Sequence, residues 1–426
     1  MTHHRPTFSK ISAPSKPRVK VLLPLPLRGT YDYAVPEDLP LTPGDFVKVP
    51  LGPRQMIGVV WDKPLQQTES DVSDERLKAV TLHLPAPPMP LENRRLIEWV
   101  SSYTLAQLGA VLRMTMSVPK ALEPEKPRIA YALSETIAEI RITSARQRVI
   151  NLLREVPSLT AADILREAGV SAGVVKGLVQ AGMLYTVTLP PRDHFPAPDP
   201  ECPGPALSDT QEEAVAALRN AGDKFRVTLL DGVTGAGKTE VYFEAIADAL
   251  RRSKQTLILL PEIALNVQWL DRFEARFGAR PAEWHSDLSQ RQRRTTWRSI
   301  AEGEARVVVG ARSALFLPYP ELGLIVVDEE HENSFKQEDG VAYHARDMAI
   351  VRAQIGDFPI LLASATPSLE TVINAESGRY ARLYLPTRHG SASLPDIQLI
   401  NLRQHPPKRR CWIDRKSTRL NSSHVR

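Results

Sequence analysis

The chain has 426 residues, of which 42% are hydrophobic and 24% charged, an ordinary globular composition for two to four domains. No apolar run approaches the roughly 20 residues that span a bilayer, and the N-terminus lacks the long apolar core of a secretory signal. These features predict a cytoplasmic protein without a membrane partner. Two cysteines, Cys202 and Cys411, are too few for a disulfide framework or a four-cysteine zinc site.

Basic residues are concentrated at the two ends of the chain. The formal net charge is +5, but residues 1–19 form a basic N-terminal arm without acids, and residues 414–426 add a further positive excess. The overall charge is therefore weak evidence for nucleic acid binding. The arm is either a solvated tail or a binding element. Residues 414–426 have no apolar periodicity and are interpreted as a foreign or disordered tail.

Residues 20–120 are predicted to form a small β-rich domain with a helical appendix. The strand-like runs VKVLLPLPL, YDY, FVKVPLG and MIGVVW are separated by Pro, Gly and Asp residues that favour turns. After residue 88, the sequence LENRRLIEWVSSYTLAQLGAVLRMTM has the apolar spacing of amphipathic helices.

Residues 135–188 are predicted to form a winged-helix domain. Three short amphipathic helices, with Thr160 and Ser171 as N-caps of the second and third, precede the strand YTVTL. A plain three-helix bundle is the alternative. The third helix carries only Lys176 as a base, so packing against a neighbouring domain is as good an interpretation as duplex readout. Residues 189–206 are rich in proline and predict a semi-rigid linker.

From residue 207 to residue 385, short apolar strands alternate with helices. The runs FRVTLLDG, TLILLP, RVVVG, LGLIVVDE and FPILLASA are almost continuously apolar. Strands of this kind, separated by helices, predict a parallel sheet that is covered on both faces. Residues 386–413 are interpreted as the start of a truncated remainder.

A phosphate-binding loop is the strongest chemical signal in the chain. It follows the apolar strand VTLLDG, precedes a predicted helix and matches G-x-x-x-x-G-K-[ST]. Glycines allow backbone N–H groups to approach phosphate oxygens, and the helix N-terminus adds a positive dipole end. The predicted ATP-binding residues are Gly232, Val233, Thr234, Gly235, Ala236, Gly237, Lys238 and Thr239.

A second apolar strand ends in acids, in the sequence LIVVDEEH. In open α/β sheets, ligands bind at the carboxyl ends of the strands. We therefore assign Asp328 to hold Mg²⁺ together with Thr239, and Glu329 to orient or deprotonate the attacking water. The predicted catalytic residues are Lys238, Thr239, Asp328 and Glu329; an acidic loop at a strand end is the alternative.

Two weaker signals accompany these motifs. Ser364, Ala365 and Thr366 follow another strand, in the position of a helicase coupling motif. Gln211 precedes the phosphate-binding loop and is a candidate to hydrogen bond adenine; a glutamine on a helix surface is the alternative.

Together these motifs resemble superfamily 2 helicases, and their flanks resemble the PriA family. The segments GVTGAGKTEVY, LLPEIAL, WHSDLS, VVGARSALFLP, VVDEEH, SATPS and NSFKQEDGVAYHARDMAIVRA occur in family order, and TYDYAVP and FVKVPLG are similar to that family's domain for a DNA 3′ end. The resemblance implies a multidomain α/β protein. Its parts would be a small β-rich 3′-end DNA-binding domain, a winged-helix domain and one RecA-like P-loop motor lobe with a parallel sheet.

The resemblance also implies a set of residues that contact DNA. Asp32 matches the residue at the 3′-terminal nucleotide, and a carboxylate there can accept the proton of a free 3′-OH; a turn residue is the alternative. Residues 335–343 match an aromatic-rich loop that links single-stranded DNA to ATP hydrolysis. The predicted DNA-binding residues are Asp32, Tyr31, Tyr33, Gly52, Lys78, Phe335, Lys336 and Tyr343.

As a member of this family, the chain would act as an ATP-dependent 3′→5′ DNA helicase that recognises stalled or abandoned forks and initiates primosome assembly. Its cofactors would be ATP and Mg²⁺, and its partners forked and single-stranded DNA, primosome proteins and single-strand DNA-binding protein. The family's second motor lobe and cysteine-rich zinc region have no counterpart here, so we expect a fragment that binds DNA and ATP but hydrolyses ATP poorly. A non-helicase DNA translocase and a fork-binding module without turnover are the alternatives.

Overall fold

The computed structural model describes residues 17–388, except residues 28, 63–75, 125–126, 135–140, 190–194 and 262–266. Residues 1–16 of the predicted arm, most of the interpreted remainder and the tail at 414–426 lie outside the described residues. So does most of the LLPEIAL segment. Among the helices that are described, none has the length and apolar character needed to cross a membrane.

The N-terminal domain is built on an antiparallel sheet with strand order β2-β1-β4-β3-β5. Its strands are β1 (Arg18–Leu22), β2 (Tyr31–Ala34), β3 (Phe46–Leu51), β4 (Arg54–Val60) and β5 (Leu82–His83). Alternate side chains point to opposite faces of a strand, and here both faces are apolar. Val47 and Val49 pack in a small cluster on one face, whereas Phe46 and Val59 join the main core on the other.

The helical appendix covers one face of this sheet with α1 (Leu91–Thr104) and α2 (Leu108–Thr115). Gly109 allows α2 to lie directly against the chain that follows β1, because a Cβ at this position would overlap the carbonyl oxygens of Leu23 and Leu25. A 3₁₀ turn at Pro119–Ala121 ends the domain. The predicted β-rich domain with two helices is confirmed.

The winged-helix region contains α3 (Ser144–Glu155), α4 (Ala161–Ala168) and α5 (Ala172–Gln180). Its strands β6 (Arg128–Leu133), β7 (Leu159–Thr160) and β8 (Leu184–Leu189) form a three-stranded antiparallel sheet in the order β7-β6-β8. This sheet distinguishes a winged helix from a plain three-helix bundle. β6 precedes the predicted boundary at residue 135 and extends the region towards the N-terminus.

The two predicted caps in this region differ. The Thr160 hydroxyl accepts a hydrogen bond from the backbone N–H of Asp163, as an N-cap does. Ser171 occupies the N-cap position of α5, but its side chain makes no capping hydrogen bond. The buried residues of the region form a separate cluster that includes Val149, Ile164 and Leu178.

The motor lobe contains a seven-stranded parallel sheet with strand order β11-β12-β10-β13-β16-β9-β17. The strands are β9 (Val227–Gly232), β10 (Gln255–Leu259), β11 (Ala282–Trp284), β12 (Val307–Gly310), β13 (Leu322–Asp328), β16 (Ile360–Ser364) and β17 (Ala381–Leu385). The short strands β14 (Lys336–Gln337) and β15 (Tyr343–His344) form an antiparallel pair beside it. The predicted parallel sheet is confirmed.

Helices cover both faces of this sheet. They are α6 (Asp209–Ala221), α7 (Lys238–Arg251), α8 (Val267–Phe277), α9 (Gln290–Ala301), α10 (Ala345–Gly356) and α11 (Leu369–Glu376), with 3₁₀ turns at Arg312–Phe316 and Asn333–Phe335. Leu230 and Ile258 belong to the cluster on one face, while Leu229 and Leu257 belong to the cluster on the other.

The last part of the predicted linker at 189–206 is bound to the motor lobe. The Asp199 N–H donates to the Phe277 carbonyl at 2.8 Å, and Arg276 Nη1 donates to the Cys202 carbonyl at 2.6 Å. These bonds tie residues 199–202 of the predicted linker to the end of α8.

The N-terminal domain and the motor lobe share one apolar core, to which Phe46 of β3 and Trp297 of α9 both belong. The two rings meet edge to face with their centroids 6.0 Å apart. Trp297 Nε1 also donates to the Thr115 carbonyl at 3.2 Å. The sequence pattern predicts separate domains here, but the packing of the two regions is continuous.

A buried polar network crosses the same boundary. Asn93 of α1 donates to the carbonyls of Phe316 and Leu317 at 3.2 and 3.0 Å, and it accepts from Arg352 Nη2 of α10 at 2.7 Å. The Arg352 guanidinium also donates to the carbonyls of Leu315 and Leu317. Burial lowers the pKa of Arg352 to about 10, so the side chain remains charged at neutral pH. Backbone dipoles therefore solvate this cation.

Candidate functional site

The predicted phosphate-binding loop connects β9 to α7, as its sequence requires. Gly235 and Gly237 have φ values of 83° and 81°, in the left-handed region where glycine is favoured. A Cβ on Gly237 would overlap Gln211 Nε2. These two glycines therefore fulfil two requirements, a left-handed turn and close packing beneath the loop.

Lys238 is the first residue of α7, and its side chain folds back across the loop. Lys238 Nζ donates to the Gly232 carbonyl at 2.8 Å. Burial lowers the pKa of Lys238, while the neighbouring carboxylates of Glu329, Asp328 and Asp231 act in the opposite direction. Among the described residues, the ammonium group donates one hydrogen bond, to the loop carbonyl of Gly232, and forms no ion pair with a carboxylate.

Three motifs converge at the carboxyl ends of three neighbouring strands. β16 lies between β13 and β9 in the sheet. In register, Asp328 is opposite Ala363, and Ser364 is opposite Asp231. The acidic strand end, the Ser364–Thr366 segment and the phosphate-binding loop therefore line the same edge, where α/β sheets bind ligands.

Asp328 is the last residue of β13, and both of its carboxylate oxygens accept hydrogen bonds. Oδ1 accepts from the Glu329 N–H at 3.0 Å, and Oδ2 accepts from the Tyr242 hydroxyl at 3.0 Å. Burial, followed by the charge of Glu329, raises the pKa of Asp328 to about 6. Glu329 itself has a φ of 48°, which turns the chain sharply at the strand end.

His331 joins the acidic motif to the coupling segment, a role that the sequence analysis did not assign. Its Nδ1 lies 2.8 Å from Ser364 Oγ, and its Nε2 lies 3.2 Å from Thr366 Oγ1. Ser364 Oγ also accepts from the Thr366 N–H at 3.1 Å. The position of His331 directly after three acids was the available signal, but its partners are 33 and 35 residues away.

Glu330 forms the centre of a second buried network that the sequence analysis missed. Its side chain is fully buried and lies 3.0 Å from Arg346 Nη1 of α10. It also accepts from the N–H of Ser368 at 2.7 Å and from the Thr371 hydroxyl at 3.0 Å, both at the start of α11. Glu330 thus ties the acidic strand end to α10 and α11.

Gln211 is neither a surface residue nor a free side chain. It is 2% exposed, and its Nε2 donates to the Ala236 carbonyl of the phosphate-binding loop at 2.9 Å. Its Oε1 accepts from the Ser208 N–H at 2.9 Å, which completes a capping box at the start of α6. The surface alternative is wrong, and in this structure both ends of the amide are engaged by the protein.

Three of the predicted DNA-end residues lie in one region of the N-terminal sheet. Lys78 Nζ donates to the Gly52 carbonyl at 3.3 Å, and the Lys78 carbonyl accepts from the Ala34 N–H at 2.9 Å, two residues from Asp32. Gly52 and Lys78 are exposed. Asp32 Oδ1 lies 3.4 Å from Lys20 Nζ of β1. The Asp32 carboxylate therefore has a cation beside it in this structure.

The two tyrosines beside Asp32 point towards the small cluster of the N-terminal domain. Tyr33 is 4% exposed, its hydroxyl donates to the Pro50 carbonyl, and burial raises its pKa. Tyr31 is half-buried and packs against the same cluster. The prediction that Tyr33 contacts DNA has to be corrected. Strand alternation places Tyr33 on the face opposite Asp32, where its ring is buried.

The predicted aromatic contacts of the loop at 335–343 also need correction. Phe335 is 1% exposed and Tyr343 is 5% exposed, and both belong to the main core. Tyr343 meets Phe316 edge to face, with centroids 5.3 Å apart. Neither ring offers a face for base stacking in this structure. Lys336 is exposed, with its Nζ 2.7 Å from Glu338 Oε1.

The donor set fits a magnesium ion that is held mainly through nucleotide and water. Within the residues described, no group of three or more His, Cys, Asp or Glu side chains could hold a metal. Mg²⁺ bound to a nucleotide commonly takes one or two protein ligands and several waters. Thr239 follows Lys238 at the start of α7, and Asp328 ends β13 at the same edge of the sheet. These two side chains are the protein ligands that such an ion could take.

Two family models match the chain. The PriA 3′ DNA-binding domain (3′BD) matches residues 20–117, and the DEAD/DEAH box helicase model matches residues 208–375. Both ranges fall within structural regions described above. Among solved structures, RecG bound to a three-way DNA junction aligns with a TM-score of 0.36 and 22% identity, covering 44% of this chain and 25% of that chain.

Curated relatives match most of the chain. The replication restart protein PriA of Rickettsia conorii is 34% identical over 396 residues, which are 93% of this chain and 50% of that protein. The PriA of Haemophilus influenzae is 35% identical over 392 residues, 88% of this chain and 52% of that protein. The chain thus spans about half the length of these curated relatives. With both family models in the same order along the chain, the protein belongs to the PriA family of replication restart proteins.

Proposed function

We propose that this chain forms the DNA-end-binding and ATP-binding part of an ATP-dependent 3′→5′ DNA helicase. In this proposal, the helicase recognises stalled or abandoned replication forks and initiates primosome assembly. Forked and single-stranded DNA are its direct ligands. Primosome proteins and single-strand DNA-binding protein are the partners that the family resemblance implies.

The observation that carries this proposal is the convergence of three motifs at one sheet edge. A phosphate-binding loop with two left-handed glycines, an acidic strand end and a hydroxyl-bearing coupling segment follow neighbouring strands. The hydrogen bonds of His331 to Ser364 and Thr366 physically join the acidic motif to the coupling segment. A nucleotide at this edge would contact elements that also contact each other.

The roles of the individual residues follow from their chemistry. The loop N–H groups and Lys238 would bind phosphate oxygens, with Lys238 exchanging its bond to the Gly232 carbonyl for the ligand. Thr239 and Asp328 would hold Mg²⁺, which neutralises phosphate charge when it is bound. Glu329 would orient the attacking water or accept its proton. Gln211 would support the loop from beneath, and an adenine contact would require one of its present bonds to open.

The second ligand in this proposal is a DNA 3′ end. Asp32, Gly52 and Lys78 supply an acceptor for a 3′-OH, an uncrowded backbone turn and an exposed cation. Because the N-terminal domain and the motor lobe share a core, a bound DNA end would be held at a fixed position relative to the nucleotide. This arrangement suits a motor that loads at a fork.

Nucleotide binding tests the proposal directly. We expect the wild-type chain to bind a fluorescent ADP or ATP analogue with Mg²⁺, and the Lys238→Ala variant to bind it at least about 10-fold more weakly, since a charge-assisted bond to phosphate is worth about 1.5–3 kcal/mol. Lys224→Ala is the matched control, because Lys224 is exposed and pairs with Asp357. Equal binding by wild type and Lys238→Ala would remove the basis of the proposal.

Strand displacement separates a helicase from a DNA translocase. We expect the full-length gene product to release a labelled strand from a fork in an ATP-dependent manner. ATP hydrolysis that is stimulated by DNA but releases no strand would favour the translocase alternative, and fork binding without hydrolysis would favour the binding module.

A further inference from the structure

Tyr242 is a fully buried residue of α7 whose hydroxyl lies between the phosphate-binding loop and the acidic strand end. The hydroxyl lies 3.0 Å from Asp328 Oδ2 and 2.9 Å from Trp269 Nε1 of α8. Thr239 lies one turn before Tyr242 on α7, so the two residues share a face of the helix. The phenol thus contacts Asp328 and lies on the same helix face as Thr239, the two residues that are proposed to hold Mg²⁺.

The chemistry of these partners fixes the direction of each hydrogen bond. An indole N–H can only donate, so Tyr242 must accept from Trp269. A phenol has a single proton, and an ionised carboxylate can only accept, so that proton is directed to Asp328 Oδ2. The two hydrogen bonds of the phenol therefore each have one consistent direction.

This arrangement constrains Asp328, one of the two proposed magnesium ligands. The Tyr242 hydroxyl and the Glu329 N–H together hold the two oxygens of Asp328.

We propose that Tyr242 is a positioning residue for the magnesium–nucleotide site, because its hydroxyl orients Asp328 and Trp269 sets the direction of its proton. This inference rests on the function proposed above. It assigns to the phosphate-binding helix a group that acts on the metal rather than on the phosphate. Groups that orient metal ligands in this way typically change metal affinity about 10- to 100-fold when they are removed.

The test is the dependence of nucleotide binding on Mg²⁺ in the Tyr242→Phe variant. This substitution keeps the ring and removes only the hydroxyl. We expect the Mg²⁺ concentration for half-maximal binding of a fluorescent ADP analogue to rise about 10-fold. Binding without Mg²⁺ should stay within about twofold of wild type, because the loop N–H groups and Lys238 are unchanged. Trp269→Phe should shift the Mg²⁺ requirement in the same direction by a smaller factor.

Tyr319→Phe is the matched control. Tyr319 is also a buried tyrosine of the motor lobe, and its hydroxyl donates to the Ala314 carbonyl at 3.2 Å, away from the phosphate-binding loop. Its loss should leave the Mg²⁺ dependence unchanged, even if both variants melt at a lower temperature than wild type. A general loss of packing would move both variants alike, whereas a positioning role separates them.

Two results would overturn the inference. One is a wild-type Mg²⁺ requirement in Tyr242→Phe, and the other is an equal loss of binding with and without Mg²⁺. Failure of the proposed function gives a different pattern, since the wild-type chain would then bind no nucleotide under either condition.

Discussion

Asn93 provides a quantitative test of the contact between the N-terminal domain and the motor lobe. It is 1% exposed and makes three hydrogen bonds to residues more than 220 positions away along the chain. Two of these bonds go to backbone carbonyls, and the third comes from the buried guanidinium of Arg352. The Asn93→Ala variant removes all three at once and leaves one donor of a buried cation without its acceptor.

The expected magnitude follows from the kind of bond that is lost. A neutral hydrogen bond contributes about 1 kcal/mol and one to a charged group about 1.5–3 kcal/mol, so the three contribute about 3.5–5 kcal/mol. Alanine is the better helix former in α1 by about 0.5 kcal/mol. We therefore expect Asn93→Ala to lower the free energy of unfolding by about 3–4.5 kcal/mol.

Urea denaturation followed by tryptophan fluorescence measures this change. Five of the six tryptophans, at 61, 99, 269, 284 and 297, lie in the N-terminal domain and the motor lobe, and Trp412 lies outside the described residues. Residues 127–189 contain no tryptophan, so the signal does not come from side chains of the winged-helix region. Arg95→Ala is the control, because Arg95 is on the same helix but exposed, and surface substitutions usually change stability by less than about 0.5 kcal/mol. If Asn93→Ala unfolds at the same urea concentration as Arg95→Ala, the network does not join the two regions energetically.

Three further predictions concern the corrected and newly identified residues. Phe335→Ala should lower the free energy of unfolding by about 3–5 kcal/mol, because the ring is in the core; a soluble variant of wild-type stability with selectively weakened single-stranded DNA binding would support the stacking role instead. Glu330→Ala should cost about 3–5 kcal/mol in the same urea titration, since it removes the buried carboxylate and leaves Arg346 with only the half-exposed Asp347 as an anion; a wild-type midpoint would contradict this. Thr160→Ala should destabilise the winged-helix region by about 1 kcal/mol through loss of its cap, whereas Ser171→Ala should have little effect. Thermal unfolding followed by circular dichroism compares the two variants, and equal shifts in their melting temperatures would refute the difference.

The sequence was informative wherever local pattern decides structure. Continuous apolar runs predicted the parallel strands of the motor lobe, and the G-x-x-x-x-G-K-[ST] pattern predicted a loop whose glycines have positive φ values. Strand-like runs separated by turn residues, followed by amphipathic helices, predicted the N-terminal domain in the same way. In these segments, the periodicity of burial and the need for glycine depend on residues that are close together in the sequence.

The contacts that the sequence did not reveal are long-range and involve ordinary residue types. Asn93 and Arg352 are 259 positions apart, and Tyr242 and Asp328 are 86 positions apart. Nothing in the local sequence distinguishes these polar side chains from solvent-exposed ones. Their roles depend on which helix packs on which strand, and that depends on the whole sheet.

The burial of Phe335 and Tyr343 has a related cause. An aromatic residue in a polar loop can either stack on a ligand or fill a gap in the core, and both uses have the same local sequence. Here the short pair of β14 and β15 folds the loop back so that both rings join the main core. Strand alternation could have identified Tyr33 as a core residue, since it lies next to Asp32 and must point to the other face.

The central claim is that one polypeptide carries a nucleotide site and a DNA 3′-end site that can be lost separately. The most direct measurement is fluorescence anisotropy with two labelled forks at matched salt, one with a 3′-OH and one with a 3′-phosphate at the leading-strand arm. We predict that wild type and Lys238→Ala both prefer the 3′-OH fork, because a phosphate places negative charge beside Asp32 and removes the hydroxyl donor, and that Asp32→Ala abolishes this preference while still binding nucleotide. Equal affinity of the wild-type chain for the two forks would contradict the claim.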